Sequence, residues 1–381
     1  MKQHVLWLCS WYPNDTDLFI GDFIQRQAQA VSLFSHVDVF SVVDANTNYS
    51  TSKSFPQMTE QVMYIQASNK FTKWLKYIKV HQTFIKQYIQ QNGKPEIIHV
   101  QVPVKAGLIA LYWRWKYKIP FVVTEHYGIY NDSIEDNYRT QSFLFRYITK
   151  LVFKYASVLT TVSHSLGKEI NDWVIKKPFE VIPNVVDTSL FFFKPILPET
   201  KFQFLHISNM MPLKNIQGII EASEMLYKQR QDFEVHFIGN STNEYENFAH
   251  QKGLLNTLIY FEGILSYAKV AERIKANQCM IIFSDSESQS CVVLESLCCG
   301  RPAIVTQVGG VQELIDQHNG YTVAPKDIID LANKMNEMIN NYNSFDLPKI
   351  AEDAKNNYAY DAVGKSFVQV YNSLSNHTSK K

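Results

Sequence analysis

The sequence predicts an α/β protein of two doubly wound, Rossmann-like domains that face a central cleft. Short apolar runs rich in β-branched and aromatic residues alternate with longer amphipathic stretches, which is typical of parallel strands joined by crossover helices. This pattern starts again after a proline-bearing segment at 192–200, which we interpret as the linker. A length of 381 residues is sufficient for two domains with separate cores.

The elements of the two domains follow in chain order. The first domain is expected over residues 1–192, with a helix at GDFIQRQAQAVSLF and strands at HVLWLCS, HVDVFSVV, EIIHVQ, FVVTEH, VLTTVS and FEVIPN. The second is expected over 200–355, with strands at FQFLHIS, FEVHFIG, LIYFEG, CMIIFSD and PAIVTQ. We expect CMIIFSD to end as a strand at Asp285 and CVVLESLCC to form the helix that follows it.

The composition is that of a soluble globular protein, with 46% hydrophobic and 19% charged residues. No apolar run reaches the roughly 18–20 residues of a membrane-spanning helix, and the start of the chain lacks a signal-peptide cleavage site. The five cysteines lack metal-ligand spacing and are expected to be reduced thiols of a cytoplasmic protein. A net charge of +1 argues against a nucleic-acid partner. The basic excess of the first half would suit an anionic acceptor or membrane surface.

The stretch SDSESQSCVVLESLCCG, 284–300, places two glutamates eight positions apart around the start of a predicted helix. The turn ends at Ser290 and the helix begins at Cys291, so that backbone N–H groups there can bind a phosphate or sugar oxygen. Glu287 in the turn and Glu295 in the helix can each accept hydrogen bonds from the hydroxyls of a ribose or another polyol. The structural alternative is one carboxylate that stabilises the helix dipole and one that is solvated.

This spacing, followed by LCCGRPAIVTQVGGVQELI, resembles the signature of the retaining glycosyltransferases of family 4, which have the GT-B fold. The resemblance covers nearly the whole chain. It extends in family order through SWYPNDTDLFIGDFIQRQAQA, TEHYG, VSHSLGKEI, VIPNVVD, HISNMMPLKNIQGIIEA, FEGILS and YAYDAVGKSFVQVYNSL. It implies that a helix over 358–375 crosses back to complete the first, acceptor-binding domain, and that the second domain binds a nucleotide sugar.

The resemblance also implies a role for each matched residue. Glu287 would hold hydroxyls of the donor sugar, and Glu295 would hold the ribose of the nucleotide. His126 would lie beside the transferred sugar, and Lys214 would face the diphosphate. These assignments make His126, Glu287 and Lys214 the candidate catalytic residues.

Four further positions belong to the implied donor site. Gly21 would let the backbone approach the donor phosphates, and Leu265 would mark the loop whose backbone binds the base. Ser290 and Cys291 would present the N-terminus of the helix to the donor.

The chain also departs from the family pattern. Asn209 stands where the family usually has an arginine, so Lys214 is the only matched cation for the diphosphate. Ser288 and Ser290 replace glycines of the turn, and Gln289 replaces an aromatic residue. Serine restricts the backbone where glycine gave it freedom, and we expect a narrower choice of donor.

No catalytic metal and no cofactor beyond the nucleotide sugar are expected. Asp285-Ser286-Glu287 superficially resembles the D-x-D metal site of the other glycosyltransferase fold, but it does not lie where that fold would need it. Without the family pattern, His126 would be interpreted as a hydrogen-bonded structural histidine and Lys214 as a solvated lysine at the start of a helix.

The segment KFTKWLKYIKVHQTFIKQYIQ, 70–90, interleaves lysines with apolar residues. We interpret this segment first as an amphipathic helix whose lysine face is solvated. The alternative is peripheral contact with the inner membrane surface, because many enzymes of the resembled family act on lipid-linked acceptors.

The sequence therefore predicts a retaining, metal-independent glycosyltransferase. It would move a hexose from a nucleotide diphosphate sugar to a hydroxyl of a glycan or lipid-linked acceptor, in the assembly of bacterial surface polysaccharide or glycoconjugate. The alternatives are a nucleotide-sugar epimerase of the same fold and a degenerate, non-catalytic nucleotide-sugar-binding protein.

Overall fold

The computed structural model describes residues 3–196, 201–240 and 243–378. The chain forms two compact units, and the second consists of Val186–Ala359. The first unit contains the chain up to Val185 and the segment that begins at Tyr360. Each unit is α/β with a largely parallel sheet, which confirms the predicted fold class. Of the predicted linker, 197–200 lies outside the described residues.

The described residues of the first unit form eight strands: β1 (His4–Cys9), β2 (His36–Asp44), β3 (Tyr49–Phe55), β4 (Met58–Ile65), β5 (Ile97–Gln101), β6 (Phe121–Glu125), β7 (Val158–Thr161) and β8 (Phe179–Val181). They form one sheet in the order β3-β4-β2-β1-β5-β6-β7-β8, parallel throughout except for the β3–β4 hairpin. The sequence pattern did not reveal this hairpin, because β3 reads YSTSKSF and is exposed along nearly its whole length.

Within the described part of the first unit, five helices connect these strands: α1 (Asp22–Ser32), α2 (Lys70–Asn92), α3 (Ala106–Tyr117), α4 (Phe143–Tyr155) and α5 (His164–Trp173). Residues of α2, α3, α4 and α5 share one apolar cluster, in which Trp113 and Phe153 are fully buried. Residues of α1 belong to a second cluster that contains Trp7. Because both faces of the sheet are covered, its central strands are nearly continuous apolar runs rather than alternating ones.

Outside the two short stretches that are not described, 197–200 and 241–242, the second unit forms six strands: β9 (Phe202–Ile207), β10 (Phe233–Ile238), β11 (Ile259–Phe261), β12 (Cys279–Ile282), β13 (Ala303–Thr306) and β14 (Gly320–Val323). They form an all-parallel sheet in the order β11-β10-β9-β12-β13-β14. The α-helices of the unit are α6 (Ile216–Tyr227), α7 (Asn243–Gln251), α8 (Tyr267–Ala276), α9 (Cys291–Cys298), α10 (Ile328–Asn341) and α11 (Leu347–Tyr358). Short 3-10 helices are formed by Pro212–Lys214, Gln312–Leu314 and Tyr342–Ser344.

The end of β12 corrects one expectation. The strand was predicted to continue to Asp285, but it ends at Ile282. The backbone N–H of Asp285 instead donates a 2.8 Å hydrogen bond to the carbonyl of Leu213, which lies in the 3-10 helix after β9. The strand ends early because the backbone N–H of Asp285 forms its hydrogen bond with this neighbouring loop.

The last helix, α12 (Tyr360–Thr378), belongs to the first unit and packs on α1. Tyr371 is fully buried, and its hydroxyl lies 2.6 Å from Nδ1 of His99 on β5. A Cβ on Gly364 would lie 2.3 Å from the carbonyl oxygen of Ala30, so only glycine permits this close approach of α12 to α1. The first unit is therefore assembled from two segments that are far apart in the sequence.

Burial holds His81, His99 and His206 neutral. The pKa values of His81 and His206 are lowered to about 4, and that of His99 is lowered well below its usual range, in each case chiefly by desolvation. A group whose pKa is lower in the folded chain adds stability above its unfolded pKa, near 6.5. That contribution is lost as the pH falls toward the folded pKa. These three histidines should therefore destabilise the fold between about pH 6.5 and pH 4.

Replacing His81 by leucine should reduce this acid-induced loss of unfolding free energy by roughly 3 kcal/mol, because no imidazole remains to be protonated at that position. Urea denaturation at pH 7 and at pH 4 measures the loss in each protein. His318 is exposed, and His318→Leu is the matched control, which should follow the unmodified chain. A His81→Leu variant with an unchanged loss would show that His81 is not held neutral.

Candidate active site

One cluster of predicted site residues lies in the second unit, beyond the carboxyl ends of β9 and β12. Lys214 ends the 3-10 helix after β9, and Glu287 lies in the turn between β12 and α9. The Nζ atom of Lys214 is 2.5 Å from Oε1 of Glu287. The same oxygen accepts a 2.9 Å hydrogen bond from the hydroxyl of Ser284. The fold thus brings together Lys214 and Glu287, which are 73 positions apart in the chain.

This ion pair is largely withdrawn from water, with 17% of the Lys214 side chain and 11% of the Glu287 side chain exposed. Charges leave water without a large penalty only when they meet at short range with further hydrogen bonds. A lysine carries three N–H donors, and Glu287 occupies one of them. The pair therefore fixes a cation at the edge of the sheet where doubly wound domains bind ligands.

The main chain of Glu287 is fixed by two glycines that follow β13. The N–H of Gly310 donates a 2.9 Å hydrogen bond to the carbonyl oxygen of Glu287. Gly309 has a φ of 46°, and a Cβ at this position would lie 1.9 Å from the same oxygen. Only glycine fits here, both because φ is positive and because the two backbones nearly touch.

Asn209 lies at the same edge of the sheet, in the loop that follows β9, and its side chain is exposed. Its Oδ1 accepts a 3.3 Å hydrogen bond from the backbone N–H of Met211. An amide can donate hydrogen bonds to a bound anion but supplies no charge. The positive charge of this loop therefore comes from Lys214.

Glu295 on α9 is buried, with 3% of its surface exposed. Its Oε1 accepts a 2.8 Å hydrogen bond from the hydroxyl of Tyr267, the first residue of α8. The alternative of one solvated glutamate is wrong, because both Glu287 and Glu295 are withdrawn from water. Leu265, in the loop before α8, packs half-buried against the apolar cluster of this unit.

The helix α9 begins at Cys291, after Ser290 at its N-cap. Ser290 is buried, but its hydroxyl makes no capping hydrogen bond to the helix. The first N–H groups of a helix have no intrahelical partner and carry part of the positive end of its dipole. This end of α9 is therefore suited to an anion.

His126 belongs to the first unit, directly after β6, and is buried. Its Nε2 lies 2.9 Å from Oε1 of Gln101, an atom that can only accept. We assign the proton to Nε2, which leaves a lone pair on Nδ1. Nδ1 has no hydrogen-bond partner among the described residues. Burial lowers the pKa of His126 to about 3, so the imidazole is neutral at pH 7.

Glu125 supports the chain around His126. Its Oε1 accepts hydrogen bonds from the backbone N–H groups of His126 and Tyr127, at 2.8 and 2.9 Å, and its Oε2 accepts one of 2.5 Å from the Tyr130 hydroxyl. Burial raises the pKa of Glu125 to about 7, although these donors favour the ionised form. The carboxylate therefore positions the loop after β6.

A cavity of about 430 Å³ opens at the carboxyl ends of β1, β2, β5 and β6, and we call it the unit 1 cavity. Its lining includes Trp11, Lys105, Glu125 and Tyr127. The loop that forms one wall is held by Gly21, whose φ is 70° and whose Cβ would lie 2.9 Å from the carbonyl carbon of Trp11. The backbone at Gly21 is thus closely packed on its own loop.

Sequence reasoning did not identify four residues that position the site. Ser284 and Gly309 hold Glu287, Tyr267 holds Glu295, and Gln101 fixes the tautomer of His126. The glycine pair after the strand PAIVTQ is a signal that could have been found, because adjacent glycines at a strand end indicate a close approach of backbone. Tyr267 and Gln101 have no local signal, because their partners lie 28 and 25 positions away in the chain. Ser284 lies three positions before Glu287, within the motif itself, but its residue type alone does not indicate this contact.

Two family models match adjacent parts of the chain. Residues 187–358 match the family described as Glycosyl transferases group 1. Residues 51–190 match the family described as Glycosyltransferase Family 4. Together the matches span most of both units.

The relatives are bacterial glycosyltransferases, among others. The chain is 23% identical over 381 residues to the putative teichuronic acid biosynthesis glycosyltransferase TuaC of Bacillus subtilis, covering 92% of each protein. It is 27% identical over 198 residues to the N-acetyl-alpha-D-glucosaminyl L-malate synthase of Bacillus anthracis. That match covers 48% of this chain and half of the relative.

Solved structures match over the whole length. Sucrose-phosphate synthase from Thermosynechococcus elongatus superposes with a TM-score of 0.78 at 18% identity, covering 98% of this chain and 100% of that one. HepE of Anabaena, solved in complex with UDP, gives a TM-score of 0.75 at 16% identity, also covering 98% and 100%. At these identities the likeness establishes the fold.

Proposed function

Since the chain belongs to family 4 of the glycosyltransferases, with the GT-B fold, we propose that it transfers a hexose from a nucleotide diphosphate sugar to an acceptor hydroxyl with retention of configuration. The contact of Lys214 with Glu287 at the carboxyl edge of the second sheet carries this proposal. A fixed cation and a carboxylate there suit the two parts of such a donor. The cation faces the diphosphate, and the carboxylate accepts hydrogen bonds from sugar hydroxyls.

In the proposed reaction the bond between the anomeric carbon and the diphosphate oxygen breaks, and the acceptor oxygen bonds to that carbon from the same face. The acceptor proton passes to the departing phosphate oxygen, so the nucleoside diphosphate leaves as the second product. Lys214 and the N-terminus of α9 stabilise the negative charge that gathers on the leaving group. No residue of the chain becomes bonded to the sugar.

His126 is proposed to contact the transferred sugar. The Nε2 of His126 is engaged in a hydrogen bond with Gln101. The sugar can therefore contact its Nδ1 and the backbone that follows β6. The neutral imidazole accepts a hydrogen bond from a sugar hydroxyl without adding charge beside the reacting carbon. Support for this role comes from the low pKa that burial imposes on His126.

The unit 1 cavity is proposed to bind the acceptor, and surface polysaccharide or glycoconjugate assembly is the proposed process. The relative TuaC is described as a putative teichuronic acid biosynthesis enzyme, which supports a glycan or lipid-linked acceptor.

Thermal unfolding in the presence of nucleotide sugars tests the proposal, because a ligand that binds only the folded chain raises the melting temperature. We expect one nucleoside diphosphate and its sugars to raise it. The donor found in this way should release its nucleoside diphosphate when a glycan or lipid acceptor is added. Conversion of the donor into an epimer without an acceptor, or binding without any turnover, would contradict transfer.

Transfer should continue in excess EDTA. The Nζ of Lys214 already supplies a positive charge within 2.5 Å of Glu287, where a divalent ion would otherwise be needed for the diphosphate. The rate of nucleoside diphosphate release, measured before and after chelation, checks this expectation. Activity that disappears with EDTA and returns with magnesium or manganese would contradict a metal-independent mechanism.

Glu295→Gln should weaken donor binding by about tenfold or more while the fold persists. A glutamine keeps the shape, but it replaces a charged acceptor by a neutral one, and hydrogen bonds to charged groups contribute about 1.5–3 kcal/mol. Calorimetric titration with the free nucleoside diphosphate measures the affinity, and Glu337→Gln on α10 is the control. An unchanged affinity in Glu295→Gln would exclude the ribose role.

A further inference from the structure

Three separate segments of the first unit expose large apolar side chains to water. The loop before α1 exposes Leu18 and Phe19, by 70% and 69%. The first turns of α2 expose Phe71 and Leu75, by 72% and 53%. The start of α4 exposes three more side chains by at least half, namely Phe143, Leu144 and Tyr147. The surface of a soluble protein seldom has a large patch of exposed apolar residues unless the patch binds a ligand, another protein or a membrane.

All three segments lie around the mouth of the unit 1 cavity. Ile20, next to the exposed pair of the loop, lines the cavity, and Phe145 of α4 lines it as well. Asp44, at the end of β2, also lines it and forms an ion pair with Lys73 in the first turn of α2. The three segments that carry the exposed apolar residues therefore border the cavity, and we call them together the cavity rim.

The two helices of the cavity rim are exclusively basic. The helix α2 carries five lysines and α4 carries Arg146, Lys150 and Lys154, and neither helix contains an aspartate or a glutamate. The carboxylates of this edge lie outside the two helices. Asp17 in the loop before α1 and Asp44 at the end of β2 line the cavity, and others lie in the loop between β6 and α4. There Asp132 pairs with Arg139, and Asp136 accepts a hydrogen bond from Gln141.

The helix α2 exposes an apolar stripe rather than the purely polar face expected of an amphipathic helix. Tyr77 and Ile85 are buried in the core. Phe71, Leu75 and Ile78 follow one another at helical spacing on the exposed side, beside the exposed Lys79. On α4, the rings of Phe143 and Tyr147 stack with centroids 6.1 Å apart. Aromatic and aliphatic residues flanked by lysines are typical of helices that lie in the interface of an anionic bilayer.

We propose that the cavity rim docks onto an anionic lipid surface, so that the unit 1 cavity opens toward the bilayer and receives an amphiphilic acceptor from it. Among the described residues, none of the helices combines the length and the hydropathy of a membrane span. The contact that we propose is peripheral. The acceptor part of the inference rests on the proposed function, whereas the docking part does not.

Sedimentation of the 381-residue chain with lipid vesicles tests the docking. We expect binding to vesicles that contain phosphatidylglycerol and none to vesicles of phosphatidylcholine alone. Binding should weaken in about 1 M salt, where the screening length falls to about 3 Å. A chain that binds neither vesicle, or both equally, overturns the proposal.

Variants of the cavity rim locate the contact. The double change of Phe143 and Tyr147 to serine should weaken vesicle binding at least tenfold. Trp115→Ser on α3 is the matched control, because Trp115 is 73% exposed and Phe143 is 75% exposed, yet Trp115 is not on the rim. The double change of Lys150 and Lys154 to glutamine should weaken binding by on the order of tenfold, since each cation near an anionic leaflet contributes about 1 kcal/mol. Equal effects of the control and rim variants would overturn the assignment.

Three further readouts separate docking from catalysis and from other occupants. The melting-temperature shift given by the donor, measured without vesicles, should be the same in the rim variants and the unmodified chain. Vesicle binding without transfer to any acceptor would leave the docking intact and overturn the proposed function. Light scattering that shows a dimer dissociated by the Phe143 and Tyr147 changes would assign the rim to a second copy and overturn lipid docking.

Discussion

Lys214→Ala should lower the rate of transfer by on the order of a thousandfold. The leaving diphosphate gains charge as the glycosidic bond breaks, and cations aimed at such a group supply several kcal/mol of transition-state stabilisation. Asn209 brings no charge to the same loop, so Lys214 carries electrostatic work that an arginine would otherwise share. Single-turnover rates at saturating donor measure this loss, and Lys228→Ala is the control, because Lys228 pairs with Glu224 on the helix surface.

The Asn209→Arg variant tests the electrostatic role of this loop more directly than Lys214→Ala alone. With a guanidinium at the edge of the second sheet, diphosphate binding should strengthen, and the double variant with Lys214→Ala should recover part of the lost rate. Its melting temperature must be measured as well, because removal of Lys214 leaves Glu287 without its ion-pair partner and destabilises the fold. A double variant that folds but is as slow as Lys214→Ala would show that position 209 does not face the donor.

Gly309→Ala should reduce transfer more than a hundredfold and lower the melting temperature by many degrees. The added Cβ would lie 1.9 Å from the carbonyl oxygen of Glu287, a distance at which one of the two backbones must move. Glu287 would then leave its contact with Lys214, and misplacing a binding group by about 1 Å can cost a hundredfold in rate. Donor affinity and turnover, measured on the folded fraction, report this displacement.

The matched control is Gly253→Ala. Gly253 has a φ of 68°, and a Cβ there would meet no atom within 4 Å. That variant therefore experiences the strain of a left-handed alanine, about 1–2 kcal/mol, without a collision. If Gly309→Ala behaves like Gly253→Ala, the close approach to Glu287 does not position the site.

The fold could be predicted from the sequence where burial imposes a pattern. HVLWLCS and CMIIFSD are apolar because both faces of their strands are covered, and such runs between helices indicate a parallel sheet. The β3–β4 hairpin was not predicted, because Tyr49–Phe55 packs little apolar surface and shows no such pattern. The end of β12 was predicted wrongly for another reason. It depends on a hydrogen bond from Asp285 to Leu213, which is far away in the chain.

The site could be predicted only as a set of residue types at motif positions. Family spacing selects Glu287, Glu295 and Lys214, but it contains no information on which atoms meet. The ion pair of Lys214 with Glu287 and the hydrogen bond of Tyr267 to Glu295 arise from the order of β9, β12 and α8 in three dimensions. Contacts between residues so far apart in the chain can be identified only from the three-dimensional structure. The roles assigned to these residues stay predictions until the variants are measured.

The return of α12 to the first unit determines when that unit can be completed during synthesis. A ribosome adds roughly 5–20 residues per second, so the intervening Val186–Ala359 takes on the order of ten to thirty-five seconds. Throughout that interval the nascent amino-terminal half displays the surface of α1 and β1 that α12 will cover. His99 meanwhile lacks the hydroxyl of Tyr371. A chain that ends before residue 360 lacks α12 altogether, so its first unit keeps uncovered an apolar surface of the kind on which chaperones and proteases act.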